Sequence, residues 1–135
     1  MERFELSAII PATPEDIYDD WLSSEGHSDM TGGEAVCDAK VGSTFSAWDG
    51  YITGENLELE RPSRIVQRWW TSEFPRGTDS RVEIRLDAEG QGTRVTIHHW
   101  DIPDAVSGRY EEGWKDHYLN PMTRYYSRRR RDGGE

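Results

Sequence analysis

Residues 2–10 alternate apolar Phe4, Leu6, Ala8 and Ile10 with polar Arg3, Glu5 and Ser7, the period-two pattern of a strand with one buried face. Thr13-Pro14-Glu15-Asp16 then carries the signals of a helix start: a hydroxyl cap, proline at the first helical position and acidic residues in the first turn. Ile17, Tyr18, Trp21 and Leu22 give that helix an apolar side. A second short helix or turn over 23–30 is stopped by Gly32-Gly33. From Val36 onward the pattern turns to short strands and tight turns, with strands predicted over 35–39, 43–48, 51–59, 65–71, 81–87 and 93–100. Asp49-Gly50 reads as a two-residue hairpin turn, Arg61-Pro62-Ser63 as a corner and 73–79 as a longer loop. The cleanest alternation sets Val82, Ile84 and Leu86 against Arg81, Glu83 and Arg85.

The period changes once more after residue 103. Tyr110, Trp114, His117, Tyr118, Met122 and Tyr125 recur at steps of three and four, opposite Glu111, Glu112, Lys115, Asp116 and Arg124, which predicts an amphipathic helix over about 104–131. Gly113 costs that helix about 1 kcal/mol against alanine, and Pro121 removes one of its hydrogen bonds, so a kink near Pro121 is expected. Antiparallel strands with one polar face need a cover on the other, and this aromatic helix is the only element large enough. The expected fold is α+β: a curved antiparallel sheet of about six to seven strands wrapped around a long C-terminal helix, with two short helices after the first strand.

Composition narrows the function classes. The 135 residues suit one domain, read as 1–135, with a frayed basic tail over 128–135. A net charge of -10 disfavours nucleic acid and anionic membranes as partners. No apolar run is long enough for a membrane span, the first residues lack a signal-peptide pattern, and Cys37 is alone, so a cytoplasmic location is expected. Six tryptophans and six tyrosines offset the low apolar fraction, because each buries a large area.

The order of elements, read with particular residues, resembles the helix-grip superfamily of START lipid-binding domains and polyketide cyclases (START-like, SRPBCC). Within it the chain resembles the family of the activator of heat-shock protein 90 ATPase, in its C-terminal domain. The matching pieces are IPATPEDIYDDWL at 10–22, KVGSTFSAWDGYITGENLELERPSRIVQRWW at 40–70, TSEFPRGTDSRVEIRL at 71–86, GTRVTIHH at 92–99 and GWKDHY at 113–118. The resemblance implies a cavity between sheet and long helix for an apolar or aromatic small molecule, and it implies a stress-response chaperone as a partner. The co-chaperones it resembles carry a separate N-terminal domain important for ATPase stimulation, which these residues do not contain.

Strict alternation points Phe45, Gln67, Trp69, Ile84, Ile97 and His99 inward, toward Trp114 and Tyr118. These eight are the candidate ligand-binding residues. Gln67 and His99, as polar groups on a buried face, need partners: each other, a water, Tyr118, or a ligand hydroxyl or carbonyl. The same alternation puts Trp48, Trp70 and Trp100 outside or at the rim, as candidates for contact with a heat-shock chaperone or a second copy of the chain. No metal-ligand spacing links the four histidines, nothing near Cys37 would stabilise a thiolate, and no cofactor is implied. The expected function is non-enzymatic binding of a small apolar or aromatic molecule. The alternatives are a chaperone-interacting module and a cyclase- or hydrolase-like enzyme using His99.

Overall fold

The structure is a computed structural model that describes residues 2–106 and 108–132, with side chains through Arg130. Strand β1 (Glu2–Ile10) leads through Ala12, Thr13 and Pro14 into helix α1 (Pro14–Trp21), whose start is capped by the Thr13 hydroxyl accepting from the Asp16 N–H. Helix α2 (Ser24–Thr31) repeats the device with Ser23 and ends on Gly32 at φ +90°, a conformation open to glycine without strain. Strands β2 (Thr44–Ala47), β3 (Ile52–Glu60), β4 (Arg64–Thr71), β5 (Ser80–Glu89) and β6 (Gly92–Ile102) follow. Among the described residues the strands form one antiparallel sheet in the order β1-β6-β5-β4-β3-β2.

Two short pieces differ from the sequence expectation. Residues 35–39 make only an isolated bridge, Val36 with Ser46, in place of a strand, because Val36 is the one residue there in register with an edge. The turn at Asp49-Gly50 is a four-residue loop closed by Ala47 opposite Ile52, with Trp48, Asp49 and Gly50 all at positive φ. The asparagine- or aspartate-glycine signal located the turn correctly but not its width.

The C-terminal helix differs more informatively. Asp104–Val106 is a separate 3-10 turn, and helix α3 (Tyr110–Trp114) begins after Gly108 at φ +86°. Lys115–Leu119 is a π turn, marked by the Asn120 N–H donating to the Lys115 carbonyl, and helix α4 (Asn120–Asp132) continues from it. Buried positions run Tyr110, Trp114, Tyr118, Met122 and Tyr126, a strict step of four. In a straight α-helix such a stripe drifts by about 40° per turn; the widened turn takes up part of that drift and keeps the five aromatic and thioether side chains facing inward. It also comes immediately before Pro121, whose ring would crowd the carbonyl four residues back in a regular helix. One consequence is that Tyr126 is buried in the place expected for Tyr125, and His117 is exposed. Helical structure persists through Asp132, with Arg129 donating to the Tyr125 hydroxyl and Arg130 to the Gln91 carbonyl, where a frayed tail from 128 is expected; residues 133–135 lie outside the described residues.

The core lies between the concave sheet face and the helices. Ile84 opposite Ile97, Leu86 opposite Val95 and Val82 opposite His99 line β5 and β6, all at 2% exposure or less. Tyr110, Trp114, Tyr118 and Met122 close over this face from the helix side.

Candidate functional site

Sheet and helix do not meet everywhere. Near β2, β3 and the start of the C-terminal helix they enclose a cavity of about 260 Å³ lined by Trp48, Tyr51, Ile52, Trp69, Tyr110, Gly113, Trp114, His117 and Tyr118. Its size falls a little below that of ordinary small-molecule pockets, which start at roughly 300 Å³. The walls are ring faces and edges: Trp114 lies 4.8 Å from Tyr118 and 5.5 Å from Trp69, and Trp69 meets Tyr110 edge-on at 5.4 Å. Trp21 stacks behind Tyr118 at 5.1 Å and holds that wall from the far side. Gly113 leaves a gap in the helix wall, since a Cβ built on it meets nothing within 4 Å.

The mouth is built around Trp48. Its backbone sits at φ +52°, a left-handed conformation that costs a bulky residue on the order of 1–3 kcal/mol. The loop is held there by the Asp49 N–H donating to the Glu34 carbonyl and the Glu34 N–H donating to Asp49 Oδ1. The indole lies on the bare backbone of Gly33, where a Cβ would fall 2.5 Å from Cε3. Across the mouth His117 meets it edge-on at 5.1 Å. Trp48 Nε1 is buried and has no hydrogen-bond partner among the described residues, an arrangement that costs about 1–3 kcal/mol.

The other polar groups of this region are satisfied. Trp114 Nε1 donates to His99 Nδ1 at 3.1 Å, which leaves the His99 proton on Nε2, donating to Ser80 Oγ at 2.8 Å; Ser80 in turn donates to the Trp69 carbonyl at 2.7 Å. Burial, with a smaller contribution from His98, holds the His99 pKa down at about 3. Both ring nitrogens are therefore engaged inside the core. Gln67 donates to Asn56 Oδ1 at 2.9 Å, and Asn56 donates onward to the Asp38 and Lys40 carbonyls. The expectation that Gln67 and His99 pair with each other or with Tyr118 is thus replaced by two separate networks. The Tyr118 hydroxyl donates to His27 Nε2 at 2.7 Å, while His27 Nδ1 donates to the Trp21 carbonyl at 2.8 Å. Burial lowers His27 to about 4. Cys37 Sγ lies 3.7 Å from His27 Nδ1, but that nitrogen carries its proton toward Trp21, and burial pushes the thiol up to about 11. The pair does not form an activated nucleophile. The Tyr110 hydroxyl bonds Thr71 Oγ1 at 2.8 Å and lies beside the Tyr51 hydroxyl; burial raises its pKa.

With this geometry in place, comparison with known proteins is decisive for family. The model for "Activator of Hsp90 ATPase homolog 1-like protein" matches residues 11–127. The chain belongs to that family. It is 30% identical over 127 residues to an activator of 90 kDa heat shock protein ATPase homolog from Dictyostelium discoideum, covering 93% of this chain and 33% of that protein. The chain spans about a third of the length of the curated relatives it matches. In fold it is similar to an HSP90 activator from Plasmodium falciparum, with TM-score 0.82 and 24% identity over 90% of this chain and 94% of that one. It is also similar to an Aha1 dimer from Colwellia psychrerythraea, with TM-score 0.73 and 17% identity over 89% of this chain and 92% of that one.

For this member of the activator family, the eight inward residues read from sequence are all buried, at 6% exposure or below. They divide into two groups. Trp69, Trp114 and Tyr118 line the cavity, whereas Phe45, Gln67, Ile84, Ile97 and His99 pack or bond elsewhere in the core. Of the three tryptophans expected outside or at the rim, Trp48 sits half-buried at the mouth of the cavity. Trp70 lies half-buried on the outer face beneath the Arg68 guanidinium at 5.3 Å, and Trp100 lies 4.8 Å from His98. Strand β5 separates them, so no single three-tryptophan cluster exists. Tyr51, Ile52, Tyr110, Gly113 and His117 join the site without having been singled out for it. Gly113 was the available signal: a glycine amid large aromatic positions on a helix marks missing volume.

Proposed function

We propose that this activator-family domain binds a small apolar or aromatic molecule in the cavity between the sheet and the C-terminal helix. The observation that supports this reading most directly is the unfilled, ring-walled space at Gly113. Chemistry in the cavity is not part of the proposal, because His99 is neutral with both nitrogens engaged and Cys37 is held as a thiol. A thermal-shift screen against fatty acids, aromatic acids and polyketide-like compounds tests it. A ligand at 100 times its dissociation constant adds about 2.7 kcal/mol to stability, several degrees in a domain this size. A hit should disappear in Gly113→Leu, which fills the space; a flat screen, or a hit that survives the substitution, refutes the reading.

A second reading, docking on a heat-shock chaperone, is favoured by the family membership and by the relatives described as activators of that ATPase. On this reading Trp70, Trp100 and the acidic surface form the contact. Titration against a heat-shock protein 90 chaperone at low and high salt checks it: binding should weaken with salt and with Trp70→Ala, and no binding at low salt ends it.

A further inference from the structure

We infer that the free edge of strand β1 is a self-association surface, on which a second copy of this chain lays its own β1 antiparallel about a two-fold axis at Leu6. The two edges of the sheet are finished differently. At one edge β2 has four residues, and Val36 closes its outer side by exchanging backbone hydrogen bonds with Ser46 at 3.0 and 2.9 Å. At the other edge β1 runs nine residues and pairs with β6 alone. Among the described residues, no other segment takes the backbone N–H and C=O groups of residues 2–9 that point away from β6. The strand keeps one register from Phe4 to Ile10, contains no proline, lysine or glycine, and turns only Phe4, Leu6 and Ala8 inward over that stretch before Ile10. Bulges, prolines, lysines and inward charges are the usual guards against edge pairing, and this stretch has none of them.

The apolar row along this edge is also incomplete. Phe4, Leu6 and Ala8 face the core yet stay half-buried, whereas Ile97 and Val95, opposite Leu6 and Ala8 on β6, are fully buried. One more strand along the edge would cover the row. Self-complementarity selects a second copy as that strand. Centred on Leu6, β1 pairs over its whole length and sets Leu6 against Leu6, Phe4 against Ala8 and Glu5 against Ser7 of the other copy. Centring on Glu5 opposes two glutamates, which is unfavourable, and centring on Ser7 shortens the ladder. Ser7 Oγ accepts from Arg94 Nη1 at 2.9 Å, while the Nε and Nη2 of that guanidinium hold Glu89. Each Glu5 carboxylate therefore arrives beside an arginine of the other copy, a local attraction between chains of net charge -10.

The test combines sedimentation velocity with backbone amide hydrogen exchange on the full chain over a concentration series. The sedimenting mass should rise toward twice that of one chain, and exchange at alternate amides of Phe4–Ala8 should slow in step. Glu5→Arg, at an exposed position, should weaken association roughly tenfold, because each substitution acts twice across the axis. In a Cys37→Ser background, Leu6→Cys should link two copies through a disulfide on mild oxidation. Ile9→Cys should not, since the two residues 9 would lie about 20 Å apart. If the cysteine variants do not fold, the exchange data on the unsubstituted chain decide the matter. A chain that stays monomeric at every concentration overturns the inference, as does association without protection of β1. Linking through Ile9→Cys as readily as through Leu6→Cys overturns the register at Leu6. Protection of β1 that appears only on adding a heat-shock protein 90 chaperone overturns the second copy as the occupant of this edge.

Discussion

Gly113 offers the sharpest test of whether the cavity is working space or a packing defect. A Cβ at this position meets nothing within 4 Å, and the residue lines the cavity. Replacing it with alanine should therefore gain the helix-propensity difference, about 1 kcal/mol, with no steric offset. Leucine adds further methylene burial at about 0.8 kcal/mol per group, less about 0.5–1 kcal/mol of side-chain entropy, for a net gain near 2 kcal/mol over glycine. In a domain of this size these correspond to about 3–5 °C and 6–10 °C in Tm. Both values come from differential scanning calorimetry at one pH and salt. Binding of an aromatic probe should survive in Gly113→Ala and fall at least tenfold in Gly113→Leu. If alanine lowers Tm, the space beside Gly113 is not there. If the leucine variant is stabilised yet binds unchanged, ligand enters elsewhere. A position where a larger residue improves stability and removes binding is the signature of stability given up for function.

Acid should destabilise the domain through its buried histidines. His27 and His99 have folded-state pKa values lowered to about 4 and about 3 against 6.5 in the unfolded chain, so the unfolded state binds protons first as pH falls. Their contribution is fully present above about 6.5 and is lost progressively down to about 4 and below, a loss on the order of 3 kcal/mol from His27 alone; urea midpoints measured from pH 7 to 4 should fall accordingly, and a flat profile contradicts the burial of these rings. Cys37, with its thiol pushed up to about 11, should react with a disulfide reagent at pH 8 far more slowly than free cysteine; rapid labelling would show the site to be open. Gly54→Ala should destabilise by several kcal/mol and is checked by denaturant unfolding, because the added Cβ would meet the Arg68 carbonyl and the Phe45 ring at 2.5 Å or closer. A neutral result there means that strands β3 and β4 part more readily than their register implies.

Much of the fold is legible in the sequence because each strand with one buried face writes its alternation directly. Strands β5 and β6 follow that alternation from Ser80 to Leu86 and from Thr93 to Trp100, and Thr13-Pro14 marks a helix start by local hydrogen bonding alone. The site is less legible because it depends on which buried residues face empty space. Phe45, Ile84, Ile97 and Trp69 share one sequence pattern, yet only Trp69 borders the cavity. Alternation assigns a face and carries no information about depth along it. Trp48 is a different case: it lies in a turn with positive φ, where period-two reasoning does not show that its ring joins the cavity. The Gln67–Asn56 and His99–Ser80 pairs depend on register between strands, which a single strand does not encode.

The π turn at Lys115–Leu119 separates the C-terminal helix into two mechanical parts. Its upstream side holds Tyr110, Gly113 and Trp114 at the cavity, and its downstream side anchors Met122 and Tyr126 in the core beside Met30. A regular ladder of hydrogen bonds would transmit any tilt at the first turn along the whole rod. A widened turn followed by a proline, which donates no backbone bond, interrupts that ladder at one place. A shift of Tyr110 or Trp114 is thereby decoupled from the anchor, so movement at the cavity wall need not loosen the hydrophobic core.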